Sequence, residues 1–149
     1  MSPLPLSNLT ARVSDFDKCL AIVLKFEGGY VDHPSDPGGE TKYGISKRSY
    51  PNEDIKNLTV QRAGEIYHRD YWVPLKCDDL TWPLNLFHFD AGVNHGVGQA
   101  RKFLLRTPTP QGYIGQRRSF YERLIAKRPK MAVFRKGWMR RLDHLATYL

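Results

Sequence analysis

The sequence predicts a single domain of the α+β class, mainly helical, with one small β-hairpin near its start. Apolar residues recur at helical spacing over most of the chain, as at Phe16, Leu20 and Val23. Pro and Gly residues then divide the chain into several separate helices. With 149 residues, the chain has the usual length of one domain with its own core.

The first elements follow from local signals. Ser14 is a favourable N-cap for a first helix, and Gly28 is a favourable residue to end it. The loop that follows is rich in Gly and Pro. Within it, residues 30–31 and 43–45 are expected to pair as the hairpin.

The rest of the chain is expected to be helical. Helices are predicted over residues 59–72, from 83 to about 94, and over 99–106, 114–126 and 131–148. Two prolines predict a turn at residues 107–110. Residues 1–13 show no periodicity and are expected to be a poorly ordered N-terminal leader.

The net charge of +8 lies entirely in the last quarter of the chain. Residues 1–112 hold 13 Lys or Arg and 13 Asp or Glu, whereas residues 113–149 hold 10 Lys or Arg against Glu122 and Asp143. A basic segment of this kind favours a polyanionic partner, whether nucleic acid, an anionic lipid surface or a bacterial envelope.

Composition also excludes several classes of protein. The longest apolar run, residues 20–24, is far shorter than a membrane span. The N-terminal stretch has no basic residue before Arg12, so no signal peptide is expected. Cys19 and Cys77 are too few for a disulfide framework, which favours synthesis in a reducing cytosol. The five histidines lack metal-ligand spacing, and no metal or organic cofactor is expected.

Glu27 is the first candidate for chemistry. It follows Leu20 and Val23 at helical spacing and so falls on the apolar face of the first helix. Partial burial and the helix dipole both favour the protonated form of a carboxyl group there. Such a group can act as a general acid. The alternative is a helix-end glutamate that points into solvent.

A second carboxylate follows in the Gly- and Pro-rich loop. Asp36 comes nine residues after Glu27, and Thr41 comes five residues after Asp36. Two carboxylates in contrasting environments are what glycosidases use, and a threonine hydroxyl beside the second one can hold the attacking water. Asp32 competes for this role, and Asp36 can alternatively be a turn residue before Pro37.

The segments around these residues resemble glycoside hydrolase family 108, the phage and bacterial N-acetylmuramidases. The resemblance rests on Glu-Gly-Gly-Tyr-Val-Asp at residues 27–32 and Asp-Pro-Gly-Gly-Glu-Thr-Lys-Tyr-Gly-Ile at residues 36–45. Residues 89–96 are similar to the family's peptidoglycan-binding segment, and residues 134–141 to its C-terminal motif. The likeness covers roughly residues 16–145.

This resemblance implies a lysozyme-like fold with Glu27 as the catalytic acid. It also implies a domain at residues 14–149, with a catalytic half at 14–75 and a helical peptidoglycan-binding half at 76–149. Residues 107–115 depart from the family pattern, so the structure of that segment is not implied.

Four further residues are candidates for binding sugar. Tyr30 and Tyr43 flank the catalytic loop and are able to stack on sugar rings, although both also suit a core. Asp90 and Asn94 share a helix face and are able to bind N-acetyl or hydroxyl groups. The alternative for this pair is a buried polar network that joins helices.

The sequence therefore predicts a phage endolysin that cuts the β-1,4 bond between N-acetylmuramic acid and N-acetylglucosamine and so lyses its host. The expected partners are peptidoglycan and the anionic envelope rather than nucleic acid, and the chain is expected to be a monomer. It is expected to stay in the host cytoplasm until a separate pore-forming protein releases it to the periplasm. The alternatives are a lytic transglycosylase, a peptidoglycan-binding module without activity, and a nucleic-acid-binding protein that uses the basic helices.

Overall fold

The computed structural model describes residues 14–32 and 38–149. These residues belong to two compact units, one ending at His68 and one beginning at Arg69. Six α-helices and one two-stranded antiparallel sheet lie in the described part of the chain, which confirms the predicted α+β class. The predicted leader lies outside the described residues, and the predicted halves of the domain stay a prediction.

Helix α1 (Asp15–Glu27) opens the first unit and has the predicted ends. The Ser14 hydroxyl accepts a hydrogen bond from the Asp17 N–H at 3.1 Å. At the other end Gly28 has a φ of 76°, and its N–H donates to the Leu24 carbonyl at 3.1 Å. Both helix ends are therefore set by residues next to them in sequence.

The hairpin consists of β1 (Thr41–Lys42) and β2 (Ile45–Ser46). Thr41 faces Ser46, and the two residues between the strands, Tyr43 and Gly44, have φ values of 52° and 79°. Two positive φ values in a two-residue loop are the mark of a type I′ turn.

The predicted pairing of this hairpin was wrong. Tyr43 and Gly44 form the turn rather than a strand, because a type I′ turn needs positive φ at both positions. The segment after α1 is nevertheless joined to the hairpin. Val31 pairs with Thr41 through two backbone hydrogen bonds of 2.8 Å.

Helix α2 (Val60–Tyr67) is the last α-helix of the first unit, and a π-helical turn (His68–Trp72) follows it along the chain. The Thr59 hydroxyl caps α2 by accepting from the Arg62 N–H at 3.1 Å, as predicted. The buried apolar residues of this unit come from α1, the hairpin, the segment between the hairpin and α2, and α2: Cys19, Leu20, Ile22, Val23, Ile45, Ile55, Leu58, Ala63, Ile66 and Tyr67.

The second unit is built around α3 (Leu84–His95), which is buried at every position from Leu84 to Gly92. A short 3-10 turn (Cys77–Asp79) precedes it. The other elements are α4 (Val97–Arg106), α5 (Pro110–Lys127), a 3-10 segment (Pro129–Phe134) and α6 (Arg135–Ala146). Helices α4 and α5 pack on α3 and on each other.

Two predicted boundaries in this unit were wrong. Helix α5 begins at Pro110 rather than at residue 114, because Thr109 caps it and proline suits the first position of a helix. The last helix begins at Arg135 rather than at residue 131, because the chain after Pro129 forms a 3-10 segment first. No helix in the described ranges is long and apolar enough to cross a membrane.

Candidate active site

Glu27 ends α1 and is half-buried. It follows two buried residues of the same helix face, Leu20 and Val23, which are 8% and 0% exposed. Its carboxyl group packs against the turn of the hairpin rather than pointing away from the protein. The structure therefore agrees with the prediction that Glu27 lies on the apolar face.

Gly44 makes this approach possible. A β-carbon placed on Gly44 would lie 2.9 Å from Oε2 of Glu27 and 3.0 Å from its Cβ. The first distance is shorter than real β-carbons show, the second is tighter than most, and the φ of 79° also favours glycine. Gly44 therefore serves both the turn and the position of the carboxyl group.

Tyr67 holds the same turn from α2. Its hydroxyl donates to the carbonyl oxygen of Tyr43 at 2.5 Å and lies 2.5 Å from the β-carbon position of Gly44. The Tyr67 hydroxyl and the Glu27 carboxyl thus converge on one point beside Gly44. Since Tyr67 is only 2% exposed, packing fixes the hydroxyl in place.

Sequence reasoning missed Tyr67. Its partner Tyr43 lies 24 residues earlier, so no local pattern links the two. The available signal was the buried face of α2, where Ala63, Ile66 and Tyr67 recur at helical spacing. That signal predicts a core position and says nothing about a hydroxyl hydrogen bond.

Tyr30 and Tyr43 are both accessible beside this turn. Tyr30 is 39% exposed, and its hydroxyl donates to Oε2 of Glu40 at 2.8 Å. The hydrogen bond to that carboxylate raises the pKa of Tyr30 to about 12. Tyr43 is half-exposed, and Nζ of Lys42 lies 5.4 Å from the centre of its ring. Both rings keep surface for a ligand, and their contact with sugar stays a prediction.

The loop residues are only partly described. Thr41 lies in β1, paired with Val31, and is half-buried. Asp32 is exposed just after Val31. Asp36 lies outside the described residues, so the choice between Asp32 and Asp36 as the second carboxylate stays open.

Asp90 lies in the second unit and is fully buried. It accepts from Nη1 of Arg117 at 2.7 Å and from Nη2 of Arg141 at 2.8 Å. Burial raises its pKa, but the two guanidinium charges outweigh this and hold the pKa below the usual value. This is the geometry of the buried network that the sequence left as an alternative, and it leaves Asp90 no exposed surface for a sugar.

Asn94 belongs to the same region. Its side-chain amide donates to the hydroxyl of Tyr121, a buried residue of α5. Nε of Arg117 donates to Nε2 of His95 at 3.2 Å, which extends the network along α3. Asn94 remains partly accessible, so its predicted contact with sugar stays a prediction.

The reactive group that the described residues place at this site is the Glu27 carboxyl, which is fixed by packing against the hairpin turn. Glu27 is half-buried at a helix end, next to accessible aromatic rings. Such a carboxyl group can donate a proton to a bound ligand. Over residues 14–32 and 38–149, no three His, Cys, Asp or Glu side chains are grouped as ligands for a metal ion.

Comparisons with known proteins agree with this description. The family model described as Glycosyl hydrolase 108 matches residues 20–96, which include Glu27, the hairpin and α2. The structure of Brucella abortus SagA is similar to this chain, with a TM-score of 0.71 and 26% sequence identity. The match covers 89% of this chain and 91% of that one, and it confirms the lysozyme-like fold. No curated protein matches the chain in sequence.

Proposed function

Because the chain belongs to glycosyl hydrolase family 108 and is a glycoside hydrolase acting on peptidoglycan, we propose that it is an N-acetylmuramidase of the phage endolysin type. The bond cut is the β-1,4 link between N-acetylmuramic acid and N-acetylglucosamine, and the result is lysis of the host cell. The observation that supports this proposal most is the Glu27 carboxyl group packed against the Gly44 turn.

In the proposed reaction Glu27 donates its proton to the glycosidic oxygen as the bond to the anomeric carbon breaks. The leaving sugar departs as an alcohol, and positive charge develops on the anomeric carbon. Asp36, with Thr41, either activates a water molecule that attacks this carbon or stabilises the charge until water adds. On the first route the attacking water gives a proton to Asp36, which passes it to solvent, and Glu27 regains one from solvent; on the second route the attacking water returns a proton to Glu27.

Holding Glu27 in place matters because a general acid must reach the oxygen while the bond breaks. The hydrogen bond from Tyr67 to the Tyr43 carbonyl fixes the backbone of the hairpin turn. Gly44 of this turn then limits the positions that the Glu27 carboxyl group can take. Tyr67 is therefore proposed as a positioning residue, which acts through Tyr43 and Gly44.

The test is Glu27→Gln, which keeps the size of the side chain and removes the acidic proton. We expect lysis of permeabilised bacteria to fall at least about 100-fold, the low end for loss of general acid catalysis. Glu65→Gln is the matched control, because Glu65 is an exposed glutamate of α2 paired with Arg62. Retained lysis by a folded Glu27→Gln protein would remove Glu27 from the mechanism.

The mass of the released fragments tests the bond and the reaction type. Hydrolysis by a muramidase leaves a reducing N-acetylmuramic acid end. A 1,6-anhydro end, which forms without water, would instead identify a lytic transglycosylase. A reducing N-acetylglucosamine end would assign the other β-1,4 bond and contradict the proposal.

A further inference from the structure

A surface of the second unit carries charge that the proposed reaction does not use. From Arg123 to Leu142 the chain has eight Lys or Arg residues and no Asp or Glu. The same stretch also lacks Ser, Thr, Asn and Gln. It is therefore made of basic and apolar residues, with Pro129 and Gly137 as the exceptions.

Most of this charge is unneutralised. Arg141 is bound to the buried Asp90, and Arg135 pairs with Glu122 at 2.7 Å. The others form no ion pair with any residue in the described ranges, and all of them are exposed: Arg123, Lys127, Arg128, Lys130, Lys136 and Arg140. A cluster of like charges with no internal partner is available to an external anion.

Apolar side chains are exposed in the middle of this charge. The 3-10 segment between α5 and α6 presents Val133, which is 76% exposed, and Phe134, which is 52% exposed. The Phe134 ring lies 5.6 Å from that of Trp138, which stacks on Tyr121 at 4.5 Å. The contact with Trp138 therefore holds Phe134 on the second unit. The Val133 side chain, by contrast, is mostly exposed to solvent among the described residues.

We propose that residues 127–136, here named the basic tip, dock on an anionic lipid bilayer. Val133 and Phe134 enter the interface, and Lys127, Arg128, Lys130 and Lys136 bind the lipid phosphates. Aromatic and aliphatic side chains between basic ones are the composition of segments that lie in a membrane interface. The long basic side chains keep their charges at the phosphates while their methylene groups cover apolar surface.

A nucleic acid fits this surface less well. Contacts to phosphate, sugar and base edges commonly use Ser, Thr, Asn and Gln beside the basic residues, and the stretch has none of these. An exposed valine at the centre of the charge gains nothing from a phosphate backbone, whereas burial in a lipid interface removes it from water.

The first test is flotation of the whole protein with vesicles. We expect binding to vesicles of phosphatidylcholine with phosphatidylglycerol and no binding to phosphatidylcholine alone. The variant Lys127→Gln, Lys130→Gln, Lys136→Gln should lower partitioning on the order of 100-fold, since each basic residue near an anionic surface is worth about fivefold. The matched control is Lys25→Gln, Lys56→Gln, Lys102→Gln, which removes the same charge from exposed lysines elsewhere. Equal losses in the two variants would overturn the proposal.

The second test concerns insertion. Val133→Asn removes apolar surface without changing charge, and Leu105→Asn is its control because Leu105 is 85% exposed on α4. Val133→Asn should lower vesicle binding several-fold, whereas Leu105→Asn should leave it unchanged. No effect of Val133→Asn, or binding to duplex DNA in preference to the vesicles, would overturn the proposal. Glu27→Gln should bind vesicles normally, so this result is independent of the catalytic assignment.

Discussion

Oε2 of Glu27 lies 2.9 Å from the point where a side chain on Gly44 would begin. The carboxyl group thus occupies space that is open only because residue 44 is glycine. The end of a helix and the turn of a hairpin are fixed against each other at this contact, and the reactive group lies between them.

The first prediction concerns Gly44→Ala. The added β-carbon would meet both Glu27 and the Tyr67 hydroxyl, so we expect activity to fall at least about tenfold, since small displacements of a catalytic group cost this much or more. Stability should also fall, by about 1–2 kcal/mol from the left-handed backbone alone. Lysis assays and urea unfolding measure the two effects.

Gly96→Ala is the control for backbone strain. Gly96 has a φ of 92°, and a β-carbon there would meet nothing within 4 Å. This variant should lose stability yet keep its kcat on soluble muropeptide oligomers, because the Glu27 carboxyl group is untouched. Residues 89–96 resemble a peptidoglycan-binding segment, so kcat rather than KM is the value to compare. If Gly44→Ala behaves in the same way, the contact with Glu27 has no role in catalysis.

The second prediction concerns Tyr67→Phe. Loss of the hydrogen bond to the Tyr43 carbonyl should cost about 0.5–1.5 kcal/mol of stability. If Tyr67 positions the acid, kcat on soluble muropeptide oligomers should fall several-fold with KM nearly unchanged. Tyr113→Phe is the control, because Tyr113 is also buried and its hydroxyl forms a hydrogen bond with Nδ1 of His88 at 2.8 Å. If Tyr67→Phe lowers stability without changing kcat, Tyr67 has a structural role only and does not position Glu27.

How far the sequence predicts the structure depends on the distance between interacting residues. The cap at Ser14 and the end at Gly28 were predictable, because each acts on residues within one helical turn. The register of the hairpin was not, since alternation over so few residues does not tell a turn position from a strand position. Tyr67 and Arg141 were missed because their partners, Tyr43 and Asp90, lie 24 and 51 residues away.

The third prediction concerns the second carboxylate, which the described residues leave open. If Asp36 serves as base or charge stabiliser, Asp36→Asn should reduce activity by about two orders of magnitude, because this is the usual effect of losing a general acid or base. Asp32→Asn should then have only a mild effect on activity. The comparison is a turbidity assay with both variants shown to be folded. The opposite ranking would assign the role to Asp32, and two mild effects would indicate a mechanism with one acid.

The fourth prediction concerns acid stability. Burial lowers the pKa of His88 to about 4 and that of His95 to about 3, the second helped by the charge of Arg117. The unfolded histidines titrate near 6.5. The unfolded chain therefore takes up protons below pH 6.5 before the folded chain does, and stability is lost as the pH falls from 6.5 toward 4.

Each histidine should contribute a slope of up to about 1.4 kcal/mol per pH unit in this window. Urea unfolding between pH 7 and pH 4 measures the slope. In His95→Gln the amide oxygen can still accept from Arg117, and the slope should become shallower. An unchanged slope would show that His95 is not a source of the acid sensitivity.

The turn residue Tyr43 carries a consequence for the evolution of this chain. At the first position of a type I′ turn, asparagine, aspartate and glycine are the favoured residues, because other side chains strain the left-handed backbone. This chain has a large aromatic there, at a φ of 52°. A Tyr43→Asn protein should therefore be the more heat-resistant one, and selection that acted on folding alone would have replaced the tyrosine. The tyrosine is therefore expected to be kept for the predicted contact of its ring with sugar, and libraries selected for thermal stability alone should lose that ring together with lytic activity.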